Sequence, residues 1–401
     1  MSEPIRILHV LQRMEPAGVQ SFLMNIYRCI DRDKIQFDFL VHYTEPQAYD
    51  HEIESLGGHV YKLSFREDKN LIKYRHDLSS FFSNHPEYQI VHGHMDSLGV
   101  IYLGEAKRAG IQNRIAHAHT VLIDNTPKKK VRHVLNRSFK KNATQLFACS
   151  DEAGRYMFGS SPFYVIKNPI DVGRFAYDQQ VRKEVRIELG VDGKHVVGHV
   201  GRFADAKNHA FLLKVFKRIY ENDTNAVLLL VGDGENREKI AGLAHELGIC
   251  DAVLFTGNRK DVERIYQAMD IFVFPSLYEG LGIAVIEAQT SGLPVICSDR
   301  IPGIAHITDQ CRALPLSAGI NTWVQTIMCQ IESSNGRYDR SIEVRAAGYD
   351  ISAVSGELMA EYVKILGGGY IFVRSISVVY VIILTLLIKA GTSERTVWQH
   401  E

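Results

Sequence analysis

Glu279 and Glu287 frame a run, Phe274-Pro275-Ser276-Leu277-Tyr278-Glu279-Gly280-Leu281-Gly282-Ile283-Ala284-Val285-Ile286-Glu287-Ala288, that reads as a buried strand, a Gly-x-Gly turn and a helix. Gly280 and Gly282 permit close backbone approach, and the N–H groups of Gly282, Ile283 and Ala284 at the helix start could hold an anion. A carboxylate at each end of that turn could accept hydrogen bonds from a ligand. The plainer reading is that Glu279 complements the helix dipole and Glu287 is a surface helix residue. Directly after another apolar strand, Gly201-Arg202-Phe203-Ala204-Asp205-Ala206-Lys207-Asn208 sets Arg202 and Lys207 where a phosphate would arrive, although ordinary solvated charges would look the same. A third loop, Pro16-Ala17-Gly18-Val19-Gln20, precedes a helix near the N-terminus; making the turn is reason enough for its small residues. None of these loops is G-x-G-x-x-G or a Walker A sequence, so dinucleotide oxidoreductases and P-loop ATPases lose their main support.

Histidines raise a metal hypothesis. His92-Gly93-His94 and His117-Ala118-His119 sit at strand ends, where alternate residues share a face, so four imidazoles could converge. No carboxylate or cysteine completes a ligand set at metal spacing, so polar lining residues are the better reading and no metal is expected. The one D-x-D, Asp31-Arg32-Asp33, reads as a turn. Six cysteines stand singly with no C-x-x-C pair, which suits a reducing compartment and gives zinc ribbons no support. Lys plus Arg and Asp plus Glu both total 46 in 401 residues, so the formal net charge is zero and a nucleic-acid partner is not expected.

These residues need elements to carry them. Apolar runs at Ile7–Leu11, Phe37–Val41, His59–Leu63, Gln89–His92, Ile115–His119, Gln145–Ala148 and Tyr164–Ile166 alternate with helical patterns at Ser21–Ile30, Leu71–Phe82, Leu98–Ala109 and Val131–Lys141. The alternation pauses at Lys167-Asn168-Pro169-Ile170-Asp171 and the polar stretch Asp178–Glu188. It restarts at Val196 and continues through Val227–Val231, Val253–Thr256, Ile271–Phe274 and Val295–Ser298. Such a pattern predicts an α/β chain with two doubly wound, Rossmann-like domains, 1–170 and 171–366. Ligands would bind in a central cleft facing the C-terminal ends of both sheets.

The motifs, taken in order, resemble glycosyltransferase family 4. The resemblance rests on the E-x7-E pair Glu279/Glu287, the Gly-Arg-Phe-x-x-x-Lys loop and the Asn168-Pro169-Ile170-Asp171 junction. Val231-Gly232-Asp233-Gly234 followed by Phe255-Thr256-Gly257-Asn258 adds to it, and the whole spans about residues 5–366. It implies a GT-B fold, with the last helix packing back on the first domain, and a retaining enzyme that takes a sugar from a nucleotide-sugar, expected to be a UDP-sugar. The acceptor would be lipid-linked or an oligosaccharide, in exopolysaccharide or capsule synthesis. Arg202 and Lys207 then match the pair on the donor diphosphate, Glu279 the contact to sugar hydroxyls and Glu287 the contact to the ribose. Gly280, Leu281, Gly282, Ile283 and Ala284 match the backbone cradle, Asn258 and Arg259 the frame of the base, and His119 a histidine near the anomeric carbon. Gly18 matches a first-loop donor, although Ala17 stands where the family often has a second glycine. His119, Arg202, Lys207 and Glu279 are the expected catalytic residues.

Two positive charges equal one divalent cation, and at an effective dielectric near 20 each is worth up to ~4 kcal/mol at about 4 Å from a developing anion. Catalysis without a metal or other cofactor is therefore expected. The alternatives are a nucleotide-sugar-binding protein without catalysis, or another GT-B enzyme such as an epimerase or phosphorylase.

Lys128–Lys141 concentrates positive charge and could lie on an anionic membrane surface or be the solvated face of a packed helix. After Leu366 come three glycines and an apolar stretch, Tyr370–Ile388, interrupted by Arg374. The tail 367–401 could insert in a membrane, dock on the fold or be a non-native extension. With no basic, apolar leader at the start, the body is expected to be cytoplasmic, peripheral at the inner face of the cell membrane.

Overall fold

The computed structural model describes residues 3–95, 98–119, 140–332 and 336–367. The expected membrane surface Lys128–Lys141 lies outside them except for Lys140 and Lys141, which enter a short 3-10 turn, Lys140–Asn142. The tail after Gly367 also lies outside them. No helix among the described residues is long and apolar enough to cross a membrane.

The chain divides into two compact units. Among the described residues the first runs to Asn168 and takes in Ile351–Gly367; the second is Pro169–Asp350. The boundary lies at Asn168/Pro169, two residues before the expected 170, and the helix Ile351–Leu366 belongs to the first unit.

The first unit holds a parallel sheet of β1 (Ile5–Val10), β2 (Ile35–Val41), β3 (Val60–Lys62), β4 (Ile90–Gly93), β5 (Asn113–Ala118), β6 (Gln145–Ala148) and β7 (Tyr164–Val165). Its order is β3-β2-β1-β4-β5-β6-β7, so winding reverses between β1 and β4. β2 and β5 are buried at every position, as strands covered by helices on both faces must be. Helices Gly18–Cys29, Leu71–Asn84 and Gly99–Arg108 lie close to the expected ones. Asp38, buried in β2, is held by a two-pronged pair to Arg6 at 2.6 Å and by the Tyr88 hydroxyl at 2.8 Å. Helix Ile351–Leu366 buries Val354, Leu358, Tyr362 and Ile365 in the same core as Ile7, Phe37 and Ile90.

The second unit's parallel sheet comprises β8 (His195–Val200), β9 (Ala226–Val231), β10 (Val253–Phe255), β11 (Ile271–Phe274), β12 (Val295–Ser298) and β13 (Cys311–Leu314), in the order β10-β9-β8-β11-β12-β13. Here winding reverses between β8 and β11. The edge strand β13 is largely exposed and lacks the apolar run that marks the others, so the sequence pattern does not predict it. The polar stretch read as a pause is instead a helix, Gln179–Glu188. Asp178 caps it by accepting from the Gln180 and Val181 amides, and Val185 alone among its apolar residues is fully buried.

Tyr362 ties the terminal helix to the sheet: its hydroxyl lies 2.7 Å from Nδ1 of buried His92. Tyr362→Phe removes that partner and leaves a buried imidazole nitrogen unsatisfied. It should lower stability by about 1–3 kcal/mol, read as a shifted urea midpoint with an unchanged m-value.

Candidate functional site

In the second unit the loops following β8 and β11 leave the sheet where its winding reverses, the position at which doubly wound sheets bind ligands. They are joined directly. The Leu277 amide donates to the Ala206 carbonyl at 2.7 Å, and the Asn208 side-chain amide donates to the Pro275 carbonyl at 3.2 Å. Asn208 adopts a left-handed backbone, φ +56°, which asparagine tolerates better than most residues. Across this seam Lys207 Nζ donates to Glu279 Oε1 at 2.5 Å and sits 4.7 Å above the Phe274 ring. Both side chains are largely shielded, 20% and 13% exposed, so this is not an ordinary surface pair.

Gly282 has φ +81° and ψ +51° at the cap of helix Ile283–Thr290; its left-handed geometry requires glycine, and a Cβ there would come 3.2 Å from Ile301 Cγ2. Glu287, one turn further, accepts from the Tyr266 hydroxyl at 2.9 Å. Burial pushes its carboxyl up to about 7. Leu281 and Ala284 are buried, and Gly280 is exposed on the approach to the turn.

The neighbouring loops complete one rim. The Gly201 amide donates to the Val231 carbonyl, Phe203 to the Asp233 carbonyl at 3.0 Å, and Gly232 to the Gly257 carbonyl at 2.9 Å. Gly232, at φ +130°, lies so close that a Cβ would be 2.3 Å from the Gly201 carbonyl oxygen. Arg202 is 74% exposed and pairs with exposed Glu235, its Nη2 at 3.1 Å and its Nε at 3.2 Å from Oε2. Arg259 is engaged by Asp261 at 2.7 Å and Glu188 at 3.1 Å, while Asn258 is exposed beside it. The structure thus gathers Lys207, Glu279, Gly280–Ala284 and Glu287 about one seam, with Arg202 and Asn258 on adjoining loops. Arg259 is turned toward the end of helix Gln179–Glu188. Tyr266, which aims Glu287, has no motif signal because its partner lies 21 positions away in sequence.

Gly18 and His119 belong to the first unit. Ala17 is in extended backbone, φ −154°, so its methyl group costs nothing there; a Cβ on Gly18 would meet nothing within 4 Å. The four imidazoles of the two H-x-H pairs do converge, and His9 joins them. Two chains of contacts result: His9 Nδ1 to His94 Nε2 at 3.0 Å, then His94 Nδ1 to His119 Nε2 at 2.8 Å; and Tyr362 to His92, whose Nε2 lies 3.1 Å from His117 Nδ1. His9 could be foreseen only from strand pairing, since it is the β1 register partner of His92. Asp31, of the D-x-D, pairs with Lys34 at 2.8 Å in a turn.

Burial holds all five rings neutral, pushing His9 and His119 down to about 3 and the other three well below the usual range. A neutral His119 can exchange hydrogen bonds with a hydroxyl but carries no charge to stabilise an anion.

Residues 181–310 match the family described as glycosyl transferases group 1. EpsF of Bacillus subtilis (strain 168), which carries a provisional glycosyltransferase name, is 35% identical over 373 residues, covering 89% of this chain and 96% of EpsF. The chain belongs to the group 1 glycosyltransferases. The Escherichia coli UDP-Gal:alpha-D-GlcNAc-diphosphoundecaprenol alpha-1,3-galactosyltransferase is 26% identical over 310 residues, covering 74% of this group 1 glycosyltransferase and 79% of the E. coli enzyme. Among solved structures, Anabaena HepE in complex with UDP and glucose aligns with a TM-score of 0.73 at 18% identity, over 90% of this chain and 99% of HepE. The fold is therefore GT-B, two Rossmann-like α/β domains, as the resemblance implied.

Two outcomes follow from this geometry. Gly232→Ala forces a methyl group into the Gly201 carbonyl and should destabilise the rim by at least about 2 kcal/mol, seen as an earlier thermal transition. For the histidines the linkage runs one way. Below pH about 6.5 the unfolded chain takes up protons that the folded rings refuse, so stability is full above that pH and falls as pH drops toward the folded values. Each ring removes up to about 1.4 kcal/mol per pH unit, so urea midpoints should fall steeply from pH 6.5 to 4.5. A flat profile would show that the rings are charged or hydrated in the folded state.

Proposed function

We propose that this enzyme is a retaining, metal-independent glycosyltransferase that binds a nucleotide-sugar, in our reading a UDP-sugar, at the seam between the β8 and β11 loops. The observation that carries it is the shielded Lys207–Glu279 pair beside the Gly282 helix start, a cation and a backbone N–H cradle on one side and a hydroxyl acceptor on the other. The donor diphosphate lies on the amides of Gly282–Ala284 with Lys207, and Arg202 swings in from its exposed position. Drawn to the phosphates, Lys207 releases Glu279 to accept from the sugar hydroxyls. Glu287, held by Tyr266, accepts from the ribose, and Asn258 and Arg259 border the base.

As the glycosidic bond breaks, negative charge grows on the leaving phosphate, and cations already in place stabilise that state more than the ground state. No carboxylate of the first unit stands out in the sequence as a nucleophile for a covalent glycosyl intermediate. We infer front-face attack, in which the leaving phosphate accepts the acceptor's proton and configuration is kept. Neutral His119 orients a hydroxyl near the anomeric carbon. The E. coli relative's name supports a UDP donor and a lipid-linked acceptor, and the HepE complex supports UDP. We place the reaction in exopolysaccharide or capsule synthesis at the inner face of the cell membrane.

The test is thermal stability with UDP, GDP, ADP or CDP in EDTA. A ligand at 100 times its Kd should add about 2.7 kcal/mol, and UDP should be the one that does. Lys207→Ala and Glu287→Gln should each reduce the shift at the same concentration. No shift with any nucleotide for a folded protein would favour a protein without a donor site. Turnover lost in EDTA and restored by magnesium or manganese would overturn metal independence.

The pH dependence has a definite sign. Glu287 accepts from ribose hydroxyls as the carboxylate, so UDP-sugar affinity should rise as pH climbs through about 7, the value to which burial brings that carboxyl. Nucleotide-sugar diphosphates do not titrate there, and Glu287→Gln should show a flat profile. A wild-type profile equally flat would remove Glu287 from the ribose.

A further inference from the structure

Cys297, His306 and Cys311 stand nine and five positions apart along the chain and meet at the edge of the second sheet. β12 and β13 are parallel neighbours, with Val295 opposite Cys311 and Cys297 opposite Ala313. Cys297 and Cys311 therefore project from the same face, offset by two residues. His306 follows the 3-10 turn Gly303–Ala305 in the connecting loop and brings Nε2 to 3.5 Å from Cys297 Sγ. All three ligand atoms lie within 4.8 Å of one another. Cys297 is fully buried, and His306 and Cys311 are partly covered.

The loop is fixed on both sides of His306. Gln289 donates to the Ala305 carbonyl at 2.7 Å and accepts from the Ile307 and Thr308 amides at 2.8 Å each, while the Tyr349 hydroxyl donates to the Ile304 carbonyl at 3.1 Å. The imidazole is thus held against the thiols by the backbone around it, not by the weak thiol contact itself. A disulfide does not suit the pair. Strands about 4.8 Å apart with a two-residue offset put the two Cα atoms roughly 8 Å apart, beyond the reach of a relaxed S–S bridge. The same spacing suits ligands around a common ion: Zn–S near 2.3 Å and Zn–N near 2.0 Å place tetrahedral ligand atoms roughly 3.5 Å from each other.

We propose that Cys297, His306 and Cys311 form a zinc site with three protein ligands, the fourth position taken by water. Two thiolates and an imidazole with no carboxylate select a borderline-soft ion such as zinc over magnesium or manganese. On binding, each thiol loses its proton to solvent, two Zn–S bonds and one Zn–N bond form, and nothing is oxidised. The ion ties β12, β13 and their loop together. That loop carries Ile301, which packs against Gly282, so zinc also braces the helix start. This last consequence rests on the donor reading; ion binding does not.

The test is cobalt titration of the full chain, purified under reducing conditions and stripped with chelator. The expected result is one cobalt per chain with a thiolate-to-cobalt charge-transfer band and tetrahedral ligand-field bands, displaced by one equivalent of zinc. Cys311→Ser and His306→Asn should each weaken cobalt binding at least tenfold and dim the charge-transfer band, while Cys250→Ser leaves it intact. Cobalt held by the histidine cluster of the first unit would show no thiolate band. Absence of that band in the stripped, folded wild type, or its survival in both Cys311→Ser and Cys297→Ser, overturns the proposal. If Cys297→Ser fails to fold, Cys311→Ser decides alone. A zinc site that forms while UDP still gives no thermal shift would uphold this proposal and count against the donor reading.

Discussion

A parallel sheet whose winding reverses leaves two adjacent strands with their following loops departing in opposite directions, and the gap between those loops must be closed by something. In the second unit it is closed by the Leu277–Ala206 backbone bond and the Lys207–Glu279 pair. The rest of the site is arranged around this closure. Phe274 and the Gly201 backbone pack along the lysine stem, leaving its ammonium one polar direction to face. Gly282, three residues after Glu279 and in left-handed backbone, caps the start of the next helix.

The corresponding reversal in the first unit is filled differently. Between β1 and β4 lie imidazoles, stacked and hydrogen-bonded to one another, with Phe37, Phe39 and Phe147 against their faces. A neutral imidazole has one donor and one acceptor, which suits it to a chain inside an apolar core where a charged side chain would need a counterion. The two reversals therefore differ in their buried lining: the second unit's holds the Lys207–Glu279 ion pair, the first unit's a cluster of neutral imidazoles.

Much of this was legible in the sequence because it is local. The strand runs are apolar on both faces, and the Gly-x-Gly turn, the Arg202–Lys207 loop and the glutamate pair each span fewer than ten residues. The parts that escaped depend on pairs distant along the chain. β13 is an exposed edge and shows no apolar signature. Helix Gln179–Glu188 buries so narrow a stripe that its composition reads as a loop. That the terminal helix packs on the first unit was implied by the family resemblance and not by periodicity; the structure adds that Tyr362 and Leu358 carry the contact. His9 and the Cys297–Cys311 pair became visible through strand register, Tyr266 through the packing of its helix against that of Glu287, and His306 through the loop between β12 and β13. The resemblance to family 4 supplied roles to residues, whereas the structure supplied what holds those residues in place.

That distinction bears on Glu279 and Lys207. Either residue alone in this position would be a partly buried, uncompensated charge, strongly unfavourable; together they are tolerable, and the short contact keeps the seam closed. On the proposed reading the donor replaces one partner for each: phosphate oxygens for the lysine, sugar hydroxyls for the glutamate. The exchange conserves the number of satisfied groups, so binding need not break a net interaction to enter. It also demands both halves of the ligand. A bare phosphate would take Lys207 and strand Glu279, and a bare sugar would do the reverse. The pair thus favours an intact nucleotide-sugar over its fragments, a selectivity that arises from the closure of the loops themselves.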